Sequence, residues 1–220
     1  QEERYTRVKF DSSFPTNSIF GCLKRAHIGI DDIDCIAVYE DPYIKLNRIN
    51  SVNSHYSPFS LIKNYLHLKN WVDRKLVIEK LLYRKLHQFS GSIFFSHHHK
   101  SHAASAFYPS PFNEASIVII DGIGEWACTS IGFGQGNQIK LLKEQQFPHS
   151  LGFLYSAFTQ YLGFKVNSGE YKVMGLAPYG NPKYEKIILD NLIILNNDGS
   201  FWLNQNFFNY SIGFTMTGNK

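Results

Sequence analysis

Apolar and polar residues alternate along this chain in short runs of two different periods. Helical spacing of apolar residues recurs in three stretches, residues 17–26, 72–86 and 151–162. Short apolar runs bounded by turn residues predict strands at residues 35–39, 93–95 and 117–120, the first and last of them buried. Helices and strands are therefore expected to alternate through the chain.

The remaining segments give weaker signals. Residues 128–134 and 138–146 predict a β-hairpin around a turn at residues 134–137. Residues 42–70 are mixed and aromatic and predict irregular helices and loops. The stretch 167–180 has four glycine or proline positions and predicts a loop that carries chemistry, with a purely structural connection as the alternative. A helix is expected at residues 182–195 and a short strand at 201–204.

Composition and charge limit the class of protein. Hydrophobic residues make up 44% of the 220 residues and aromatic residues 15%, which is a globular rather than a disordered composition. The net charge is 22 − 18 = +4, spread without a dense basic run. This supports binding of an anionic small molecule as readily as of nucleic acid. The basic residues of 72–86 are more typical of a solvated helix face than of an RNA site.

The cysteines and the hydropathy indicate a cytoplasmic protein. Cys22, Cys35 and Cys128 are odd in number and lack C-x-x-C spacing, which is typical of reduced thiols inside cells. No apolar run approaches the ~20 residues that cross a bilayer, and no signal-peptide pattern is seen.

Four histidines within six residues provide candidate chemistry. Alanines 103, 104 and 106 favour a helix here, on which either His98 and His102 or His99 and His102 share a face. Asp121 follows the strand at 117–120, so two imidazoles and one carboxylate could bind a divalent metal with open coordination positions. A surface or capping histidine pair is the competing interpretation.

Glycines follow Asp121 directly. Gly122 and Gly124 could bring backbone N–H groups close to a phosphate, although Asp-Gly-x-Gly alone is a weak turn signal. No His-Glu-x-x-His motif is present, since His99 follows His98, and this disfavours a simple zinc hydrolase.

Several long motifs occur in one order across the chain. They are residues 2–7, 13–15, 98–107, 110–112, 121–126, 147–152 and 169–180. Together they resemble the carbamoyltransferase family of nodulation and antibiotic-tailoring enzymes.

The resemblance implies an α/β fold of the actin/Hsp70-like (ribonuclease H-like, ASKHA) class, a Kae1-like domain with a mixed sheet flanked by helices. It implies an O-carbamoyltransferase that uses carbamoyl phosphate and ATP to make carbamoyl-adenylate. The carbamoyl group would then pass to a hydroxyl of a sugar or natural-product acceptor at a divalent metal. The metal is usually Fe2+ in the family, with Zn2+ or Mn2+ as alternatives.

Site residues carry over by motif. His98, His102 and Asp121 would bind the metal. The candidate catalytic side chains are Asp121, Glu125 and Lys172. The substrate and nucleotide would contact Asp121, Gly122, Ile123, Gly124, Glu125, Gly152, Gly169, Glu170 and Lys172.

The resemblance also implies that residues 1–220 form part of the N-terminal Kae1-like domain. The first strands, the second half of that domain and the C-terminal YrdC-like domain, where adenylate formation is placed, would lie outside this sequence. The acceptor, the acceptor base and the oligomeric state are left open, a homodimer included.

Two other functions compete with this one. A tRNA threonylcarbamoyladenosine transferase shares the H-x-x-x-H helix, but residues 121–126 and 170–180 fit the first family better. An inactive truncated homologue would act as an interaction module.

The domain assignment gives a first prediction. Residues 1–220 purified alone should show no carbamoyl transfer from carbamoyl phosphate and ATP, because the adenylate-forming domain is not part of them. A radiolabelled-carbamoyl transfer assay measures this, and robust turnover would contradict the assignment.

Overall fold

The computed structural model describes residues 1–56, 78–211 and 215–217, with the side chains of residues 53–56 left aside. The chain divides into two compact units, one of residues 1–38 and 65–95 and the other of residues 39–64 and 96–220. Each unit is described by itself.

The first unit pairs two parallel strands with helices. Its elements are α1 (Glu3–Thr6), α2 (Thr16–Ala26), β1 (Cys35–Val38), α4 (Ile78–Lys85) and β2 (Ser92–Phe95). Ile30, Leu82, Leu86 and Phe89 form its buried core. The buried carboxylate of Glu2 accepts hydrogen bonds from the backbone N–H groups of Asn17 and Ser18, so an anion caps the start of α2.

The second unit is built on an antiparallel sheet in the order β3-β4-β5. Its elements are α3 (Pro42–Tyr56), α5 (His98–Phe107), β3 (Glu114–Ile120), β4 (Ala127–Gln135), β5 (Gln138–Gln146), α6 (Leu151–Tyr161), α7 (Glu170–Leu176), α8 (Glu185–Asn191), β6 (Ile193–Leu195) and β7 (Phe201–Leu203). Short 3₁₀ turns follow α7 and β7, at Ala177–Tyr179 and Gln205–Phe207.

Helix α5 packs on this sheet through small and aromatic residues. Ala103 and Phe107 are buried against Ile117 and Ile119 of β3. A second cluster joins Ala157 of α6 to the β6–β7 hairpin and Phe208. The first of these clusters holds α5 against β3, which positions the site described below.

Several predicted elements are confirmed. Helix α2, strands β1, β2 and β7, helix α5, the β4–β5 hairpin and α6 lie within a few residues of their predicted bounds. The predicted helix at 72–86 is present over Ile78–Lys85, and its earlier part lies outside the described residues.

Two strands are less buried than the apolar runs suggested. In β3 the residues Val118 and Ile120 are 63% and 60% exposed, because only alternate side chains face α5. β1 alternates between exposed and half-buried positions along its whole length. An apolar run alone does not show whether one face or both faces of a strand are covered.

Three segments differ in type from their prediction. Pro42–Tyr56 is a regular helix capped by Asp41, whose Oδ1 accepts a hydrogen bond from the N–H of Tyr43 at 2.8 Å. The rest of the segment predicted as irregular, residues 57–70, lies outside the described residues. Helix α7 occupies the predicted loop at 167–180. The predicted helix at 182–195 ends at Asn191, since the β-branched Ile193 and Ile194 pair with β7 instead.

No helix in the described part of the chain combines the length and apolar character that a membrane span needs.

The cysteines differ in predicted reactivity. Cys22 and Cys35 are exposed, whereas Cys128 is fully buried and burial raises the pKa of its thiol to about 12. Iodoacetamide at pH 8 should therefore alkylate Cys22 and Cys35 quickly and reach Cys128 only in denaturant. Peptide mass spectrometry locates the label, and rapid native alkylation of Cys128 would contradict the packing around β4.

Candidate metal centre

The start of α5 is fixed by a buried carboxylate. Glu125 is 7% exposed, and its two oxygens lie 3.0 and 2.9 Å from the backbone N–H of His98. The same carboxylate accepts a hydrogen bond from the N–H of Asp41 at 3.0 Å. An anion at a helix N-terminus satisfies an otherwise free amide and interacts favourably with the helix dipole.

Asp121 is placed by the end of β3. Its backbone N–H donates to the carbonyl of Cys128 at 2.9 Å, and its Oδ1 accepts from the N–H of Gly122 at 2.7 Å. Oδ2 is thereby directed towards α5, 2.9 Å from His98 Nε2 and 3.7 Å from His102 Nε2. The two imidazole Nε2 atoms lie 3.0 Å apart.

These three atoms form a compact donor set. Ligand atoms of His98, His102 and Asp121 all lie within 4.8 Å of one another. Two ligands about 2.1 Å from one metal ion are about 3.0–3.4 Å apart at usual coordination angles. The spacing of this set therefore fits a divalent metal with little movement.

The hydrogen bonding of the set also fits a metal. The two Nε2 atoms lie within hydrogen-bond distance of each other, and Oδ2 of Asp121 is buried and has no hydrogen-bond partner among the described residues. A buried carboxylate oxygen without a donor is costly in free energy. A cation between the three atoms would satisfy all of them.

The carboxylate is ionised over a wide pH range. Contact with His98 lowers the pKa of Asp121 to about 2, against the opposing effect of burial. Side-chain exposure rises from 16% at His98 through 28% at Asp121 to 49% at His102. The donor set is thus open to solvent on the side of His102.

His99 does not belong to the set. Its ring is 2% exposed, its Nδ1 lies 2.6 Å from the hydroxyl oxygen of Ser130 on β4, and burial lowers its pKa. Of the two histidine pairs that share a helix face, the structure brings the His98–His102 pair to Asp121.

The glycine turn after Asp121 is packed tightly. A Cβ at Gly124 would approach the Cβ of His98 to 3.0 Å, and one at Gly152 would lie 2.5 Å from the carbonyl oxygen of Asp121. Ser150 fixes the same turn, because its hydroxyl donates to the carbonyl of Gly122 at 2.6 Å while it caps α6 by accepting from Phe153 N–H.

The amides of this turn are already used. Gly122 N–H donates to Asp121 Oδ1, and Gly124 N–H donates to the carbonyl of Ala127 at 2.9 Å. In this geometry the two glycines serve close packing, and the nucleotide-binding role expected for Gly122, Ile123 and Gly124 stays a prediction.

The segment at 169–172 has local contacts. The carboxylate of Glu170 accepts from Asn167 N–H at 2.8 Å and from the Ser156 hydroxyl at 3.0 Å, while Lys172 lies over the ring of Phe164. Among the described residues no hydrogen bond or ion pair joins this segment to the donor set. The roles expected for Gly169, Glu170 and Lys172 stay predictions.

Sequence reasoning missed Glu40 and Ser130. Glu40 lies 3.9 Å from His98 Nδ1, and Ser130 binds His99. The one signal for Glu40 was an acidic pair before Pro42, the pattern of a helix start. Ser130 lies within a strand and gives no signal of its own.

Fold and site together define an α/β protein in which two histidines on helix α5 meet one carboxylate at the end of strand β3. The chain belongs to the carbamoyltransferase family, because residues 1–220 match the family described as "Carbamoyltransferase N-terminus".

The chain is also similar to individual bacterial proteins. The chain is 49% identical over 227 residues to "Uncharacterized protein sll1178" of Synechocystis sp.. The matched region is 100% of this chain and 37% of that protein. It is 34% identical over 203 residues to "Nodulation protein NolNO" of Sinorhizobium fredii, covering 91% of this chain and 28% of that protein. "Nodulation protein NolO" of Bradyrhizobium diazoefficiens is 38% identical over 103 residues, 46% of this chain and 19% of that protein. The chain thus spans well under half the length of these relatives.

The contacts of Glu125 predict a loss of stability on substitution. Glu125→Ala leaves the partly buried N–H groups of Asp41 and His98 without an acceptor and should lower the free energy of unfolding by about 2–3 kcal/mol. Glu125→Gln keeps one acceptor oxygen and should lose less. Urea unfolding followed by circular dichroism measures both.

Glu144→Ala is the matched control, since Glu144 is an exposed glutamate of the same unit and should change stability by less than about 0.5 kcal/mol. An unchanged unfolding midpoint for Glu125→Ala would show that the carboxylate does not hold the helix start.

Proposed function

We propose that this chain forms part of an O-carbamoyltransferase that transfers a carbamoyl group from carbamoyl-adenylate to a hydroxyl of a small-molecule acceptor. Family membership supports the transferase class. The observation that carries the reaction site is the convergence of His98, His102 and Asp121. The domain would be Kae1-like, and carbamoyl phosphate and ATP would supply the adenylate.

His98, His102 and Asp121 would hold a divalent metal, with Fe2+ as the expected ion and Zn2+ or Mn2+ as alternatives. Such an ion supplies Lewis-acid polarisation of a carbonyl or phosphoryl oxygen. The donor set suits it, because two neutral imidazoles and one carboxylate leave several coordination positions open.

The protein residues organise this site in three ways. Glu125 fixes the start of α5 and so the backbone of His98. The ionised carboxylate of Asp121 offsets positive charge at pH 7. Exposure of His102 leaves room for substrate at that side of the set.

A neighbouring cleft does not border the candidate ligands. A cavity of about 510 Å³ beside Glu125 is lined by His97, His99 and Lys100, and the three candidate ligands do not border it. We therefore assign carbamoyl transfer to the open side of His102.

A metal analysis tests the site. The full-length protein should contain about one equivalent of iron or zinc, and the double variant His98→Ala/His102→Ala should contain none, because two of three ligands are gone. Inductively coupled plasma mass spectrometry measures the content. His97→Ala is the control, since His97 is exposed and lies outside the donor set. Absence of metal from the wild-type protein would favour an interaction module instead.

An activity assay tests the reaction. The full-length protein with carbamoyl phosphate, ATP and a panel of hydroxylated acceptors should yield a carbamoylated product, and the double variant should not. Modification of tRNA in place of a small acceptor would support the threonylcarbamoyladenosine alternative.

A further inference from the structure

His98 has a second ring nitrogen that the donor set does not use. Its Nε2 lies among His102 and Asp121, while its Nδ1 is buried and has no hydrogen-bond partner in the described structure. The carboxylate oxygen Oε2 of Glu40 lies 3.9 Å from this Nδ1. The gap is about 1 Å longer than a hydrogen bond between a charged acceptor and an N–H group.

Metal binding would fix the proton on Nδ1. A neutral imidazole carries one N–H, so a ring that binds a metal through Nε2 must hold its proton on Nδ1. A buried N–H group needs an acceptor, and metal-bound histidines usually donate this proton to a carboxylate, a carbonyl or water. Glu40 supplies a carboxylate within a small side-chain adjustment of that position.

Glu40 is itself held in place. It is 4% exposed, its Oε2 accepts from Lys45 Nζ at 2.6 Å, and its Oε1 accepts from the Tyr39 hydroxyl at 3.1 Å. A buried carboxylate with a lysine on one oxygen and a hydroxyl on the other is held in one orientation.

The backbone on both sides of Glu40 is tied to the same helix as His98. The Tyr39 carbonyl accepts from the Ser101 hydroxyl at 2.9 Å, and Asp41 N–H shares the carboxylate of Glu125 with His98 N–H. The spacing between Glu40 and His98 is therefore set by the fold and not by the two side chains alone.

We propose that Glu40 is a positioning residue for the metal site, accepting a hydrogen bond from Nδ1–H of His98 when Nε2 binds a divalent ion. It fixes the ring tautomer and increases the basicity of the ligand. Lys45 balances the charge of Glu40 so that the carboxylate does not compete for the metal. This inference rests on the proposed metal site and adds a residue that the sequence motifs did not include.

Metal affinity tests the proposal in the full-length protein. Zn2+ affinity, measured by competition with a chromophoric chelator, should fall about 10–100-fold in Glu40→Ala. Glu40→Gln should lose less, because its amide oxygen can still accept the hydrogen bond. Asp41→Asn is the matched control, since Asp41 is the adjacent carboxylate and caps α3 rather than facing His98. Its affinity should not change.

A spectroscopic measurement separates positioning from general stability. In the Co2+-loaded protein each coordinated imidazole gives a shifted, solvent-exchangeable N–H proton resonance. The resonance of His98 Nδ1–H should exchange faster with solvent in Glu40→Gln and in Glu40→Ala. The exchange rates of both imidazole resonances should stay unchanged in Asp41→Asn. If Glu40→Ala does not fold, Glu40→Gln carries the test.

The outcomes are distinct. A wild-type protein that binds no Zn2+ overturns the metal site and this inference together. Wild-type binding that both Glu40 variants leave unchanged, with unchanged N–H exchange, overturns the role of Glu40 alone.

Discussion

The carboxylate of Glu125 is the contact on which the site depends. It accepts hydrogen bonds from the first amide of α5 and from Asp41, two backbone positions that are 57 residues apart in the chain. Because it is buried, these bonds are exchanged with water only at a large cost in free energy. The side chain of Glu125 thus fixes both the start of α5 and the position of the segment that carries Glu40.

Packing around the sheet provides the other half of the site. Ala103 lets α5 approach β3 closely, and the alternation of Ile117 and Ile119 determines which face of that strand the helix covers. Gly152 allows α6 to start against the carbonyl of Asp121, and Ser150 binds the turn that follows. The aspartate is therefore held by two helices and one strand, and the metal ligands need little rearrangement.

Charged side chains in and around the donor set prepare it to bind a cation at neutral pH. The pKa of Asp121 is lowered by His98, and the carboxylate of Glu40 lies 2.6 Å from the Nζ atom of Lys45. The donors are thus organised before a ligand arrives, which reduces the entropy lost on binding. Meanwhile the exposed ring of His102 leaves the set accessible.

Local sequence signals predicted the elements with the strongest signatures. The alanines of α5, the Ser150 cap and the glycine of the β4–β5 turn act through neighbours in the chain, so a short window contains the necessary information. Helix α7 and strand β6 were missed because their state depends on distant partners: Ser156 binds Glu170, and β7 pairs with Ile193 and Ile194.

The features of the candidate site also fall into those that local sequence shows and those that depend on distant contacts. The sequence by itself determined the four-residue spacing of His98 and His102 and the aspartate at the end of a strand, since both follow from local periodicity. Only the tertiary structure decided that this pair and not His99 faces Asp121, that Glu125 binds backbone amides, and that Glu40 lies beside His98. These relations join residues from about 20 to more than 80 positions apart, and they are set by burial and by shared hydrogen bonds that a local pattern does not encode.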